Sequence, residues 1–206
     1  MYFVFEQNMM TWHRQTVTAT PLNDPNNREL RWWDTHPFLT SLPSLIFSVN
    51  PKAPAIDNYF TGNMMCLYST KLIDLIQAAG VVFETSPAVL LDKKTQQPLA
   101  RSYGVFHLLE KYPAIDAAKS DMGVKSNPQE DTNAASVADW KAHKTIRKLV
   151  LTEAALQAQR QLFCIEGREV IVLIHQDLKA ALENAGISGC LYTPVADYRF
   201  SYFPYT

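Results

Sequence analysis

Residues 67–80 read LYSTKLIDLIQAAG, and residues 173–186 read LIHQDLKAALENAG. The two stretches align at a constant offset, so that Gly186 follows Gly80 by 106 positions. A strand-like apolar run precedes each stretch, and a second strand-like run follows it. The repeat therefore predicts two related strand–helix–strand units within one chain.

Each copy carries the signals of a short amphipathic helix. A matching pair of apolar residues lies at helical spacing in each copy: Leu72 and Ile76 in the first, and Leu178 and Leu182 in the second. The hydroxyl of Ser69 or of Thr70 suits an N-cap, and His175 holds the position of Ser69 in the second copy. Gly80 and Gly186 suit a left-handed C-terminal cap. We therefore expect helices that end at these two glycines.

Composition places the chain among ordinary globular proteins. The chain has 206 residues, 47% of them hydrophobic and 19% charged, enough for one domain or two small lobes. A net charge of −1 offers no broad electrostatic footprint for nucleic acid or anionic lipid. No stretch approaches the ~20 apolar residues that span a bilayer. We expect no nucleic acid partner and no membrane contact.

Two features favour a cytoplasmic location. The first ten residues, MYFVFEQNMM, lack a basic region and predict a first strand, not a secretory signal. The three cysteines, Cys66, Cys164 and Cys190, are odd in number and far apart. Such cysteines are typical of unpaired thiols in a reducing compartment.

The order of elements predicts an α+β fold: mixed, mostly antiparallel sheet with few helices. We divide the chain into N-terminal strands with an aromatic segment (1–43), a first lobe (44–120), a polar loop (121–136) and a second lobe with an aromatic tail (137–206). Pro87 is expected to interrupt the strand that follows the first helix.

The sequence contains no recognisable catalytic signature. No histidine or cysteine lies at the spacing of a metal site, and no phosphate-binding loop or nucleophile elbow is present. We therefore expect no catalytic residue, no metal and no cofactor. The alternative left open is a small enzyme whose site is assembled from dispersed cysteine, histidine and acidic residues.

Aromatic side chains are the strongest candidates for partner binding. We expect six of them to contact a partner, because large aromatic side chains anchor many protein interfaces: Trp32, Trp33, Tyr198, Phe200, Tyr202 and Phe203. Core packing is the alternative for the two tryptophans. The tail either packs on the body or awaits a partner, and self-association through it would make the chain an oligomeric structural module.

Several stretches together resemble a known family. They are LYST and KLIDLIQAAG, then FETSPAVLLD, YGVFHLLE and IDAAKS, and finally residues 162–195, LFCIEGREVIVLIHQDLKAALENAGISGCLYTPV. The last stretch ends on Ala185, Gly186, Gly189, Tyr192, Pro194 and Val195. In these features residues 44–195 resemble the bacterial polymorphic-toxin immunity proteins of the eleventh immunity family.

The resemblance implies a partner, not a reaction. Such a protein is cytoplasmic, is encoded beside a toxin, for example a type VI secretion effector, and blocks that toxin by binding it. The shared residues are helix-stop, turn and core residues, so no catalytic residue is carried over. Homo-oligomerisation stays open.

Overall fold

The chain folds into mixed sheets and short helices, which confirms the predicted α+β class. The structure is a computed structural model, and it describes residues 1–8, 11–12, 15–23, 35, 37, 44–50, 52–61, 65–124 and 143–201. All structural statements below concern these residues.

Strands dominate the described part of the chain. In order they are β1 (Tyr2–Gln7), β2 (Thr11–Trp12), β3 (Gln15–Thr16), β4 (Ala19–Pro21), β5 (Leu45–Val49), β6 (Asn58–Tyr59), β7 (Cys66–Ser69), β8 (Phe83–Asp92), β9 (Tyr103–Leu108), β10 (Lys111–Tyr112), β11 (Asp121–Val124), β12 (His143–Lys148), β13 (Leu162–Ile165), β14 (Arg168–His175), β15 (Cys190–Pro194) and β16 (Phe200–Ser201). The helices are α1 (Thr70–Ala78), α2 (Glu153–Gln157) and α3 (Gln176–Asn184). Within this described part, no helix has the length and apolar character needed to cross a membrane.

The two repeat copies share one topology. In the six-stranded sheet, β4-β5-β8-β9-β7-β6, strands β7 and β8 flank β9 and are both antiparallel to it. In the five-stranded sheet, β10-β13-β14-β1-β15, strands β14 and β15 flank β1 in the same way. Each helix thus connects two parallel strands with a third, antiparallel strand between them. The hairpins β6–β7 and β13–β14 also correspond.

The repeated residues act as their spacing predicts. The Ser69 hydroxyl accepts from the Leu72 amide at the start of α1, and His175 Nδ1 accepts from the Asp177 amide at the start of α3. Gly80 and Gly186 follow the helices with φ of 75° and 67°, the left-handed conformation that glycine adopts without strain. The four repeated leucine and isoleucine positions are all buried: Leu72, Ile76, Leu178 and Leu182.

The two units stand side by side and share a core. α1 and α3 are in contact, and their apolar faces belong to one cluster that includes strand residues of both sheets. Lys71 Nζ donates to the Ala185 carbonyl 2.5 Å away, at the end of α3. Tyr68 lies in the shared core while its neighbour Leu67 lies in a different one, because successive side chains alternate across a strand. Each sheet therefore has a further core on the face away from the helices.

Two expectations about local structure are wrong. Pro87 does not interrupt its strand, because β8 runs unbroken through it. Pairing between β8 and β5 begins only at Ala88, so at Pro87 one edge of β8 has no partner strand in the described residues. A proline without an N–H is tolerated at such an edge. The predicted polar loop 121–136 is wrong in its first four residues, because Asp121–Val124 forms strand β11. Residues 125–136 lie outside the described residues.

Candidate functional site

The structure reaches only part of the predicted aromatic surface. Four of the candidates lie outside the described residues: Trp32, Trp33, Tyr202 and Phe203. Phe200 lies in β16, opposite Ile146 on β12, and its side chain is likewise outside the description. These five stay predictions.

Tyr198 is a core residue, which corrects its selection as an exposed anchor. Its side chain is 5% exposed and packs in a cluster with Tyr2 and Phe163, on the face of the five-stranded sheet away from the helices. A single 3-10 turn, Val195–Asp197, follows β15 and directs the chain back onto that face. Burial raises the pKa of the Tyr198 hydroxyl above its ordinary value.

Tyr198→Ala should therefore destabilise the fold and not merely weaken binding. Removing a buried aromatic ring costs about 3 kcal/mol of unfolding free energy, through lost burial and the cavity left behind. Urea titration followed by circular dichroism would measure the loss. Tyr198→Phe, which keeps the ring, is the matched control and should lose far less. A Tyr198→Ala variant as stable as wild type would return Tyr198 to the surface.

The Asp57 carboxylate is buried, at 2% exposure, and accepts hydrogen bonds through both of its oxygens. Ser69 Oγ donates to its Oδ1 over 2.6 Å. The Ser188 amide and hydroxyl donate to its Oδ2 over 2.9 and 2.8 Å. Arg101 Nη2 completes the set with an ion pair to Oδ1. One carboxylate thereby holds the N-cap of α1, the turn after α3 and a guanidinium.

These contacts keep the Asp57 carboxylate ionised. Burial alone would raise its pKa, but the hydrogen bonds from Ser69 and Ser188 and the charge of Arg101 outweigh burial, so the pKa is lowered. With donors on both oxygens, the carboxylate is a structural joint between the two units and is poorly placed to accept a substrate proton.

The backbone beside Asp57 completes this joint. The amides of Asp57 and Asn58 both lie 3.2 Å from the Ser188 carbonyl, and the Asn8 amide donates to the Gly189 carbonyl over 2.9 Å. Gly189 has φ of 81°, and a Cβ there would lie 2.4 Å from the Asn58 carbonyl oxygen. The turn after α3 therefore packs directly on the backbone of β6.

The sequence did not predict this joint, because no pattern of neighbouring residues indicates it. The partners of Asp57 lie 12, 44 and 131 residues away in the chain. Gly189 and Ser188 give a weak signal in hindsight, since the corresponding residues of the first copy, Val82 and Phe83, are larger and apolar.

The cysteines do not form a reactive group in the described part. All three are unpaired and contribute to the shared helix-side core. Burial raises the pKa of Cys164 to about 12 and that of Cys190 to about 11, so both thiols are protonated near neutral pH. A protonated thiol is a poor nucleophile and a poor metal ligand.

Two of the histidines, His107 and His175, also have structural partners. His107 is buried with Nδ1 3.0 Å from Glu84 Oε1, and His175 caps α3. Among residues that the structure describes, no three His, Cys, Asp or Glu side chains are grouped so as to hold a metal ion.

No protein-family model and no curated protein matches the chain.

Proposed function

We propose that this protein is an immunity protein that neutralises a cognate bacterial toxin by stoichiometric binding. The observation that carries the proposal is the resemblance over residues 44–195. Its strongest stretch, 162–195, corresponds to one continuous hairpin, helix and strand, β13 to β15. Gly186 and Gly189 in that stretch both adopt positive φ, so these two motif residues fix the turn between α3 and β15.

The chemistry of the described polar groups is compatible with a binding role. Asp57 uses both carboxylate oxygens internally, and the thiols of Cys164 and Cys190 are protonated near neutral pH. A binding protein needs no such groups free. It needs a few apolar or aromatic anchors and charges that complement its partner.

The test is purification of the tagged protein from its native host together with the product of the adjacent gene. Light scattering on the purified complex should give one toxin per immunity protein. A chain that stays alone and turns over a small molecule would instead support the enzyme alternative. A chain that assembles with itself and ignores the neighbouring product would support the oligomeric module.

Trp33→Ala tests the predicted aromatic anchor. If Trp33 contacts the toxin, the variant should bind at least ten-fold more weakly, since a buried Trp at an interface centre commonly contributes more than about 1.4 kcal/mol. Its melting temperature should equal that of wild type. Calorimetric titration and thermal denaturation measure the two quantities. A large drop in melting temperature would assign Trp33 to the core.

A further inference from the structure

Part of the six-stranded sheet has none of the described helices on its helix-side face. α1 packs on β7 and β9, and strands β8, β5 and β4 continue the sheet beyond them. Along β8, Leu90 points into the core on the opposite face, so its neighbours Val89 and Leu91 point to the helix side. Val89 is 38% exposed there.

Three apolar side chains form a row across this face. Ile46 on β5 is directly opposite Val89 on β8, and the Leu22 amide donates to the Ile46 carbonyl over 2.8 Å. Leu22 is 51% exposed and Ile46 is half-buried. Asn23 fixes the end of the row, because its side chain accepts from the Ile46 amide and donates to the Ser44 carbonyl. We call Leu22, Ile46 and Val89 the open face.

Lysines border the open face where β5 and β8 end. The Lys93 amide donates to the Val49 carbonyl over 2.9 Å, which brings the ends of the two strands together. Lys52, Lys93 and Lys94 are all exposed, and none of them forms an ion pair within the described residues. Asp92 is the carboxylate of the same turn, and it accepts the Lys94 amide. The border is therefore positively charged.

The repeat shows how an equivalent edge is used inside the molecule. In the second unit, Ser188 and Gly189 lead into β15 and receive Asp57 and Asn58 of the first unit. The equivalent residues of the first unit, Val82 and Phe83, lead into β8, and Val82 is well exposed. Phe83 packs on the shared core, so Val82 is the exposed apolar residue of the first unit at the position where Ser188 of the second unit forms the interface.

A second copy of the chain cannot occupy this end in the same way. The strand that docks in the internal interface is β6, and its counterpart in the second unit is β13. The outer edge of β13 already pairs with β10. The repeat therefore does not continue from one molecule to the next by this geometry.

We propose that the open face and its lysine border form the docking surface for a partner protein that presents apolar side chains flanked by carboxylates. Resting on the proposed function, that partner is the toxin. Two observations carry the assignment. One is an apolar row on a sheet, two of whose three side chains are exposed, and the other is a set of lysines that have no ion-pair partner among the described residues and would complement an acidic rim.

The experiment uses the full chain and the purified product of the adjacent gene. Val89→Glu and Leu22→Glu each place a carboxylate on the open face, and each residue is exposed enough for the variant to fold. Val170→Glu is the matched control, since Val170 is 49% exposed on the other sheet. Calorimetric titration measures the dissociation constant, and thermal denaturation reports folding.

We expect the two open-face variants to bind at least 100-fold more weakly at unchanged melting temperature, and the control to bind as wild type. The double variant Lys93→Glu/Lys94→Glu should weaken binding and flatten its dependence on salt.

Open-face variants that fold and bind like wild type would overturn this inference but leave the proposed function standing. A lowered melting temperature with intact binding would also overturn it, because the three side chains would then stabilise the fold and not contact a partner. A wild-type dimer that Val89→Glu dissociates would assign the face to a second copy. Wild type that binds no neighbouring product removes the proposed function and this inference with it.

Discussion

Gly189→Ala is expected to lose about 4 kcal/mol of unfolding free energy for two reasons: the new Cβ clashes with its surroundings, and alanine disfavours the left-handed backbone conformation at this position. It would lie 2.4 Å from the Asn58 carbonyl oxygen, and that neighbour is backbone held by the Ser188 carbonyl, not a side chain free to rotate. The φ of 81° adds left-handed strain for any L-residue. Either the β6 backbone or the turn after α3 must move, which separates the two units.

Gly186→Ala is the control for the strain alone. Gly186 also has positive φ, 67°, but a Cβ there would have nothing within 4 Å. Its substitution should cost only about 1 kcal/mol. Urea denaturation of both variants gives the comparison. Equal losses would mean that the close approach between Gly189 and Asn58 does not contribute to stability.

Asp57→Ala is the second large effect, with an expected loss of about 4 kcal/mol at neutral pH. The substitution removes the acceptor of Ser69, Ser188 and Arg101 together. The loss is large because the buried Ser69 hydroxyl and the amide and hydroxyl of Ser188 lose their acceptor, and because the ion pair of Arg101 is broken. Asp74→Ala, on the exposed side of α1, is the control and should change stability by less than about 0.5 kcal/mol.

The effect of Asp57→Ala should also depend on pH, with a defined sign. The folded-state pKa of Asp57 is lowered, so its contribution is fully present above the unfolded value of about 3.9. That contribution is lost as the pH falls through the folded-state pKa. The difference between wild type and Asp57→Ala should therefore be constant above about pH 5 and shrink in more acidic solution. A difference that grows in acid would contradict the assignment.

Local signals in the sequence were enough to predict the two repeated helices, α1 and α3. Their apolar spacing, the Ser69 cap and the terminal glycines all act within one or two turns, where sequence and structure are directly linked. The His175 cap followed from its alignment with Ser69.

Features that depend on distant partners could not be predicted. The antiparallel strand within each unit comes from different places in the chain: β9 follows β8, whereas β1 is the first strand of all. Nothing in residues 2–7 specifies which strands they pair with. Tyr198 is buried and not exposed for the same reason: the burial of an aromatic tail depends on where the turn after β15 directs the chain.

The same distinction between local and distant signals applies to the two candidate surfaces, the aromatic anchors and the open face. The aromatic anchors were selected by composition alone, and Tyr198 shows that composition cannot separate a core ring from an exposed one. The open face was not predicted, because Leu22, Ile46 and Val89 are far apart in sequence and become neighbours only through strand register.

Growth of cells that express the adjacent gene measures whether this chain neutralises a toxin. The neighbouring product should stop growth when it is expressed alone, and co-expression of this protein should restore growth. Co-expression of the Val89→Glu variant should fail to restore growth, while Val170→Glu should succeed. A neighbouring product that is harmless alone, or equally lethal in the presence of wild-type protein, would rule out the proposed function.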